Sequence, residues 1–151
     1  MALIELLAAL AILGFVIGSL YTFYFAGLNS FDRSISRMDS QQSARIAMDK
    51  IISELRYAYF IDLSSGQEAD AIHFKVKGDS RTHRFRHYGQ EEIVFESLYN
   101  NKIDAHTKIA LGITALHFTV DETNTIFITI SAGSEPAKVT LTGAVRPRNL
   151  P

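Results

Sequence analysis

Glu5 is the one charged residue among the first 31, and the 26 residues after it, Leu6 to Phe31, carry no charge. A carboxylate so placed has two partners open to it. One is the chain's own terminal amine at Met1, a helical turn away, where the positive end of a helix favours an acid by about 0.3–1 kcal/mol. The other is the amine of a neighbouring chain. An ionisable group left alone in hydrocarbon costs at least about 2.5 kcal/mol, so lateral association that neutralises it is favoured. Pairing between chains would also fix their axial stagger, because purely apolar helices slide past one another.

The other residues that could do chemistry lie beyond position 70. Lys75, Lys77, Arg81, Arg84 and Arg86, with His83, His87 and Tyr88 interleaved, form the only basic cluster. Phosphate backbones are gripped by such clusters. Glu91, Glu92 and Glu96 follow at once, however, and an edge strand charged against aggregation uses the same residues, so nucleic acid is not expected as a partner. His73, His83, His87, His106 and His117 show no H-x-x-x-H on a helix. His83 and His87 would share a strand face, but at 3.3 Å per residue about 13 Å separates them, too far to share a metal. Asp121, Glu122 and Asn124 could offer oxygens to calcium, although turn chemistry accounts for them as well. With no cysteine there is no disulfide, thiolate nucleophile or thiolate metal site. No G-x-S-x-G, Walker loop or dinucleotide fingerprint is present, so neither an enzyme nor a cofactor or metal site is expected.

Composition and period say what must hold these residues in place. The chain has 151 residues, 47% of them hydrophobic, enough for one domain with a real core. Its net charge of −1 leaves the acids and bases beyond Asp32 nearly balanced, which gives no reason to expect an acidic partner. The run Leu6 to Phe31 exceeds the roughly 20 apolar residues of a spanning helix. It is also longer than a secretory h-region, usually about 7–15 residues behind a basic start. The segment is expected to be retained and to span a bilayer. Its first basic residues, Arg33 and Arg37, come after the run, which read literally would place the C-terminal domain in the cytoplasm. A short basic leader, once ahead of Met1 and then removed, resolves that conflict. Gly14 and Gly18 form a G-x-x-x-G that lets helix backbones approach closely, though glycine is common in spanning helices generally.

No proline interrupts the first 135 residues. Ile35, Met38, Ala44, Met48, Ile51, Leu55 and Ala58 recur mostly at three- and four-residue spacing, with Asp39, Asp49, Lys50, Glu54 and Arg56 between them. The pattern predicts one helix from about residue 2 to about 58, some 85 Å long. "DLSSGQEAD" reads as loop, and beyond it the period becomes two. "AIHFKVK", "HRFRHY", "EEIVFESLY", "ITALHFTV", "TIFITIS" and "KVTLTGAV" read as strands, the third with ambiguous register, and "DETN" as a hairpin turn. The expected fold is α+β: a long N-terminal helix packed on one antiparallel sheet. Residues 1–31 form its hydrophobic half, 32–60 its amphipathic half and 61–151 the sheet domain.

Residues from both ends carry a resemblance. "ALIELLAALAILG" is similar to the start of mature type IV pilins and type II secretion pseudopilins. "QQSARIAMDKIISELRYA", "IALGITALHFTVDETNTIFITISAG" and "VTLTGAVRPRN" resemble the J-type pseudopilin and W-type minor pilin branch. Nearly the whole chain is covered. The chain departs from many pilins in having Met1 where phenylalanine is commoner, no proline within the helix and no C-terminal cysteine pair. The resemblance implies the pilin fold, and synthesis with a basic leader ending in glycine. It implies cleavage and N-methylation at Met1 by a prepilin peptidase, and an assembly role for Glu5. The expected partners are other pilin or pseudopilin subunits. The expected location is the bacterial inner membrane before assembly, then a periplasmic or cell-surface filament. A reading from another class is a single-span anchor bearing an extracytoplasmic β domain that binds a ligand or an envelope partner.

Overall fold

The computed structural model describes residues 2–64, 66–89 and 91–150. It divides into two compact units, Met1–Ile35 and Ser36–Pro151. Helix α1 (Ala2–Leu55) supplies all of the described part of the first unit and the first element of the second.

In the first unit every described side chain from Leu3 onward is exposed. Alanine and leucine dominate the start of this segment, and both favour helix without help from packing. Aliphatic hydroxyls in this unit are turned back on the helix. Ser19 donates to the Val16 carbonyl at 2.8 Å and Thr22 to the Gly18 carbonyl at 2.9 Å. Side chains that bond their own backbone in this way present no unsatisfied donor to a lipid environment.

The second unit is α1 from Ser36 onward with two antiparallel sheets. The first holds β1 (Ala58–Ile61), β3 (Ala71–Val76), β4 (Thr82–Tyr88), β5 (Glu92–Tyr99) and β6 (Lys102–Leu111), in the order β1-β3-β4-β5-β6. The second holds β2 (Glu68–Ala69), β7 (Ile113–Val120), β8 (Ile126–Ala132) and β9 (Val139–Val145), in the order β2-β7-β8-β9. The α+β class with a long N-terminal helix on antiparallel sheet is therefore present, but the single sheet expected is in fact two. Gly112, at φ +73, is the one residue between β6 and β7. An L side chain is disfavoured there, and the bend it permits sends the chain from the first sheet into the second.

The core lies where α1 meets the sheets. Ala44, Ala47, Ile51 and Leu55 are fully buried, one helical face at three- and four-residue spacing. Strand alternation supplies the rest: Ile72 and Phe74, Phe85, Leu116 and Phe118, and Ile126, Ile128 and Ile130 are all buried. Each such aliphatic or aromatic side chain contributes about 1.5–3 kcal/mol by leaving water. Gly133, at φ +75, lies where an added Cβ would stand 3.1 Å from Ser40 Cβ and 3.2 Å from the Ala137 carbonyl oxygen. Only glycine admits that approach of α1.

Two details of the helix differ from the sequence pattern. Ile35 and Met38 share the spacing of the apolar stripe but are 43% and 68% exposed, so the covered face begins at Ala44. The helix also stops at Leu55, not 58. The run Tyr57, Ala58, Tyr59, Phe60 favours strand, and Ala58–Ile61 pairs with β3 instead. The last turn is closed from far along the chain: the Arg148 N–H donates to the Arg56 carbonyl at 3.0 Å, and the Asn149 amide to the Tyr57 carbonyl at 3.1 Å. Orphan carbonyls at a helix end need such partners.

Candidate functional site

In the first unit, Glu5 stands in the first turn of α1 as its only acid there. Met1, the residue expected to carry the processed amine, lies outside the described residues. Gly14 and Gly18 are bare: a Cβ added to either would meet nothing within 4 Å. Packing inside the chain therefore gives no reason for glycines that each cost the helix about 1 kcal/mol relative to alanine. At 3.6 residues per turn, Glu5 and the midpoint of the two glycines point about 160° apart around the helix. The carboxylate and the notch face opposite ways.

In the second unit, the basic cluster is gathered around an acid that the sequence pattern did not single out. Glu96 on β5 is fully buried, opposite Arg84 on β4 and His106 on β6. Arg84 donates to its Oε2 from Nε at 2.7 Å and again from Nη2. Arg86 Nη2 donates to Oε1 at 3.3 Å, and His106 Nδ1 approaches the same oxygen at 3.3 Å. Burial alone pushes the Glu96 carboxyl up. The hydrogen bond and charge of Arg84, the charge of Arg86 and the His106 hydrogen bond outweigh it and hold the group below its ordinary value.

Of the remaining cations, Arg81 and Lys75 also have partners. Arg81 bonds both Asp79 and Asp104 at 3.3 Å. Lys75 Nζ lies 5.8 Å from the centre of the Phe60 ring, and Lys77 is exposed in the turn after β3. Three of the five basic residues, Arg81, Arg84 and Arg86, thus face carboxylates, whose charge opposes the approach of a phosphate backbone. The edge-strand reading of the cluster is corrected as well. β4 is the middle strand of its sheet, and its charges neutralise a buried acid instead of guarding an edge.

His83 and His87 have separate partners. His83 is buried, with Nε2 3.2 Å from Asp79 Oδ2 and Nδ1 3.0 Å from Ser97 Oγ, and its ring stacks on Phe95 at 5.4 Å. An aspartate, a histidine and a serine in hydrogen-bonded series invite comparison with a nucleophilic triad. Ser97 is only 4% exposed, however, so a substrate has no approach to its hydroxyl. The series satisfies an imidazole placed among phenylalanines. His87 Nε2 donates to the Ile113 carbonyl at 2.6 Å, which ties the first sheet to the second.

Asp121, the first of the turn oxygens, accepts from the Thr125 N–H at 2.8 Å, the Thr123 hydroxyl at 2.8 Å and the Thr123 N–H at 2.9 Å. These bonds, the Thr125 N–H first, hold its carboxyl below the usual value. Among the described residues no group of three or more His, Cys, Asp or Glu side chains could hold a metal ion.

Sequence reasoning named Glu96 only as one of the acids that follow the basic cluster, and did not find the clasp at Arg148 and Asn149. The signal for Glu96 was present: a lone acid inside "IVFESLY", facing a strand with arginines two apart.

The geometry defines a chain with an exposed N-terminal helix, long and apolar enough to cross a membrane, joined to a two-sheet β domain. Comparison with known protein families, with curated proteins and with solved structures finds no match.

Proposed function

We propose that this chain is a pilin-like subunit of a type IV pilus or type II secretion pseudopilus, assembling into a helical filament through α1. The observation that carries the reading is Glu5, the lone charge in the exposed apolar half of α1, residues 3–31. The amine of Met1, exposed by prepilin peptidase and methylated, is its partner on the next subunit. Before assembly the helix rests in the bacterial inner membrane; afterwards the subunit belongs to a periplasmic or cell-surface fibre.

The opposed directions of Glu5 and the Gly14–Gly18 notch favour a fibre over a dimer. Two helices that pack notch to notch bury the same face twice and leave both carboxylates pointing outward. Satisfying notch and carboxylate together takes at least three helices. Contacts made through two different faces generate open chains of subunits, whereas a self-complementary face closes a pair.

The test is Glu5→Ala in cells that assemble the fibre, with purified fibres probed for the subunit. Incorporation is expected to fall by at least tenfold while the amount of subunit in the membrane stays unchanged. Incorporation at the wild-type level rejects the pairing role. Dispersed dimers that do not depend on Glu5 would instead favour a single-span anchor for a ligand-binding β domain.

A further inference from the structure

The outer face of the five-stranded sheet holds a groove of about 480 Å³, at the end where the turns after β3 and β5 converge. That volume lies within the range of about 300–1,000 Å³ typical of small-molecule sites. Nothing about it depends on filament assembly. β1 forms one wall, with the Phe60 ring 47% exposed and the Asp62 side chain 71% exposed. His73 and Lys75 of β3 form the floor, and Asn100 and Asn101 line the other side. Both asparagines hold positive φ, 48° and 63°, in the two-residue turn from β5 to β6. Asn-Gly is the commoner choice for such a turn, so the second amide is a side chain the turn itself does not require.

The charges in the groove cancel. Asp62 and Lys75 bring one charge of each sign; Asp62 Oδ2 lies 3.8 Å from His73 Nδ1, and burial together with the charge of Arg84 outweighs that carboxylate and lowers the pKa of His73. A free anion would face the Asp62 carboxylate and a free cation the Lys75 ammonium. What remains is a ligand with no net charge and many hydrogen-bonding groups. Carboxylate, ammonium, imidazole and two amides offer donors and acceptors in several directions around one half-exposed aromatic ring, which Lys75 Nζ approaches to 5.8 Å and leaves open on its other face. We infer that this groove binds a neutral saccharide, whose C–H face rests on Phe60 while its hydroxyls meet Asp62, His73 and the two asparagines.

The experiment is saturation-transfer NMR on the full chain in a detergent without a sugar headgroup. The probes are glucose, galactose, N-acetylglucosamine and N-acetylgalactosamine, with glycine alongside and inorganic phosphate followed by its phosphorus-31 line width. At least one sugar is expected to receive saturation, strongest on the C–H protons of one ring face. Phe60→Ala and Asp62→Ala should each weaken that signal by fivefold or more. Both residues are exposed, and an unchanged urea midpoint checks that each variant is folded. Asn101→Gly keeps the turn and removes only the amide, and should weaken binding by a smaller factor. No transfer to any of the four sugars overturns the proposal. So does transfer that survives both alanine variants, or transfer to glycine or binding of phosphate in place of the sugars.

Discussion

Replacing Glu96 by glutamine keeps the side chain's shape and removes its charge, leaving Arg84 and Arg86 around a neutral amide. Breaking one partner of a buried ion pair typically costs about 3–5 kcal/mol. Here the arginine side chains keep 20% and 31% of their exposure and can partly rehydrate, so a loss of about 2–3 kcal/mol is expected. With a urea m-value of about 2 kcal/mol/M, the midpoint should fall by roughly 1–1.5 M. The assay is urea unfolding of the full chain in detergent micelles, followed by tyrosine fluorescence between pH 7 and pH 3.

The pH dependence has a definite sign. Glu96 has a folded pKa below its ordinary value of 4.5, so its stabilisation is complete above 4.5 and is lost as pH falls through the folded value. The gap between wild type and Glu96→Gln should therefore shrink as pH falls below 4.5. Asp79 and Asp121 are also held low, but they titrate alike in both proteins and cancel from the difference. A gap under about 0.5 kcal/mol at pH 7, the size of an exposed pair, would refute the claim that the arginines hold a buried charge. A gap that stays the same at pH 3 would refute it equally.

Three further outcomes are expected. Gly133→Ala should destabilise by more than Gly112→Ala, because both positions pay for positive φ, about 1–2 kcal/mol, while only Gly133 also collides with Ser40 and the Ala137 carbonyl; equal urea midpoints for the two variants would remove the close approach. Asn149→Ala should cost about 0.5–1.5 kcal/mol by releasing the Tyr57 carbonyl, and an unchanged midpoint would mean the clasp contributes nothing. A fragment starting near Asp32 should be soluble and monomeric by light scattering, and a persistent need for detergent would place apolar association surface in the β domain.

The parts of this structure legible in sequence are those governed by a simple period. The helix, the alternation of Ile72 and Phe74, of Leu116 and Phe118, and of Ile126, Ile128 and Ile130 each put one kind of side chain on one face. β6 was not legible, because in "KIDAHTKIAL" most residues are exposed and neither face selects for apolar groups. β5 hid its register for the opposite reason: Glu92, Ile93, Val94, Glu96 and Ser97 are all buried, and two bulges shift the pairing with β6. β1 and β2 are four and two residues long, too short to show any period. Ile35 and Met38 continue the stripe's spacing past the point where the domain covers it, which a period alone cannot reveal. The Glu96 centre depends on which strand lies beside which. That is a fact of topology, and five basic residues between Lys75 and Arg86 looked like a surface.

The clasp between Arg148, Asn149 and the end of α1 also sets a timetable. A chain that leaves the ribosome N-terminus first offers the carbonyls of Arg56 and Tyr57 long before their donors exist, since 92 residues separate each pair. Closure of the first element therefore waits until Arg148 and Asn149 have been translated. A product that stalls or is clipped before Arg148 carries an open helix end, so the first element of the fold reports on whether synthesis has passed that point.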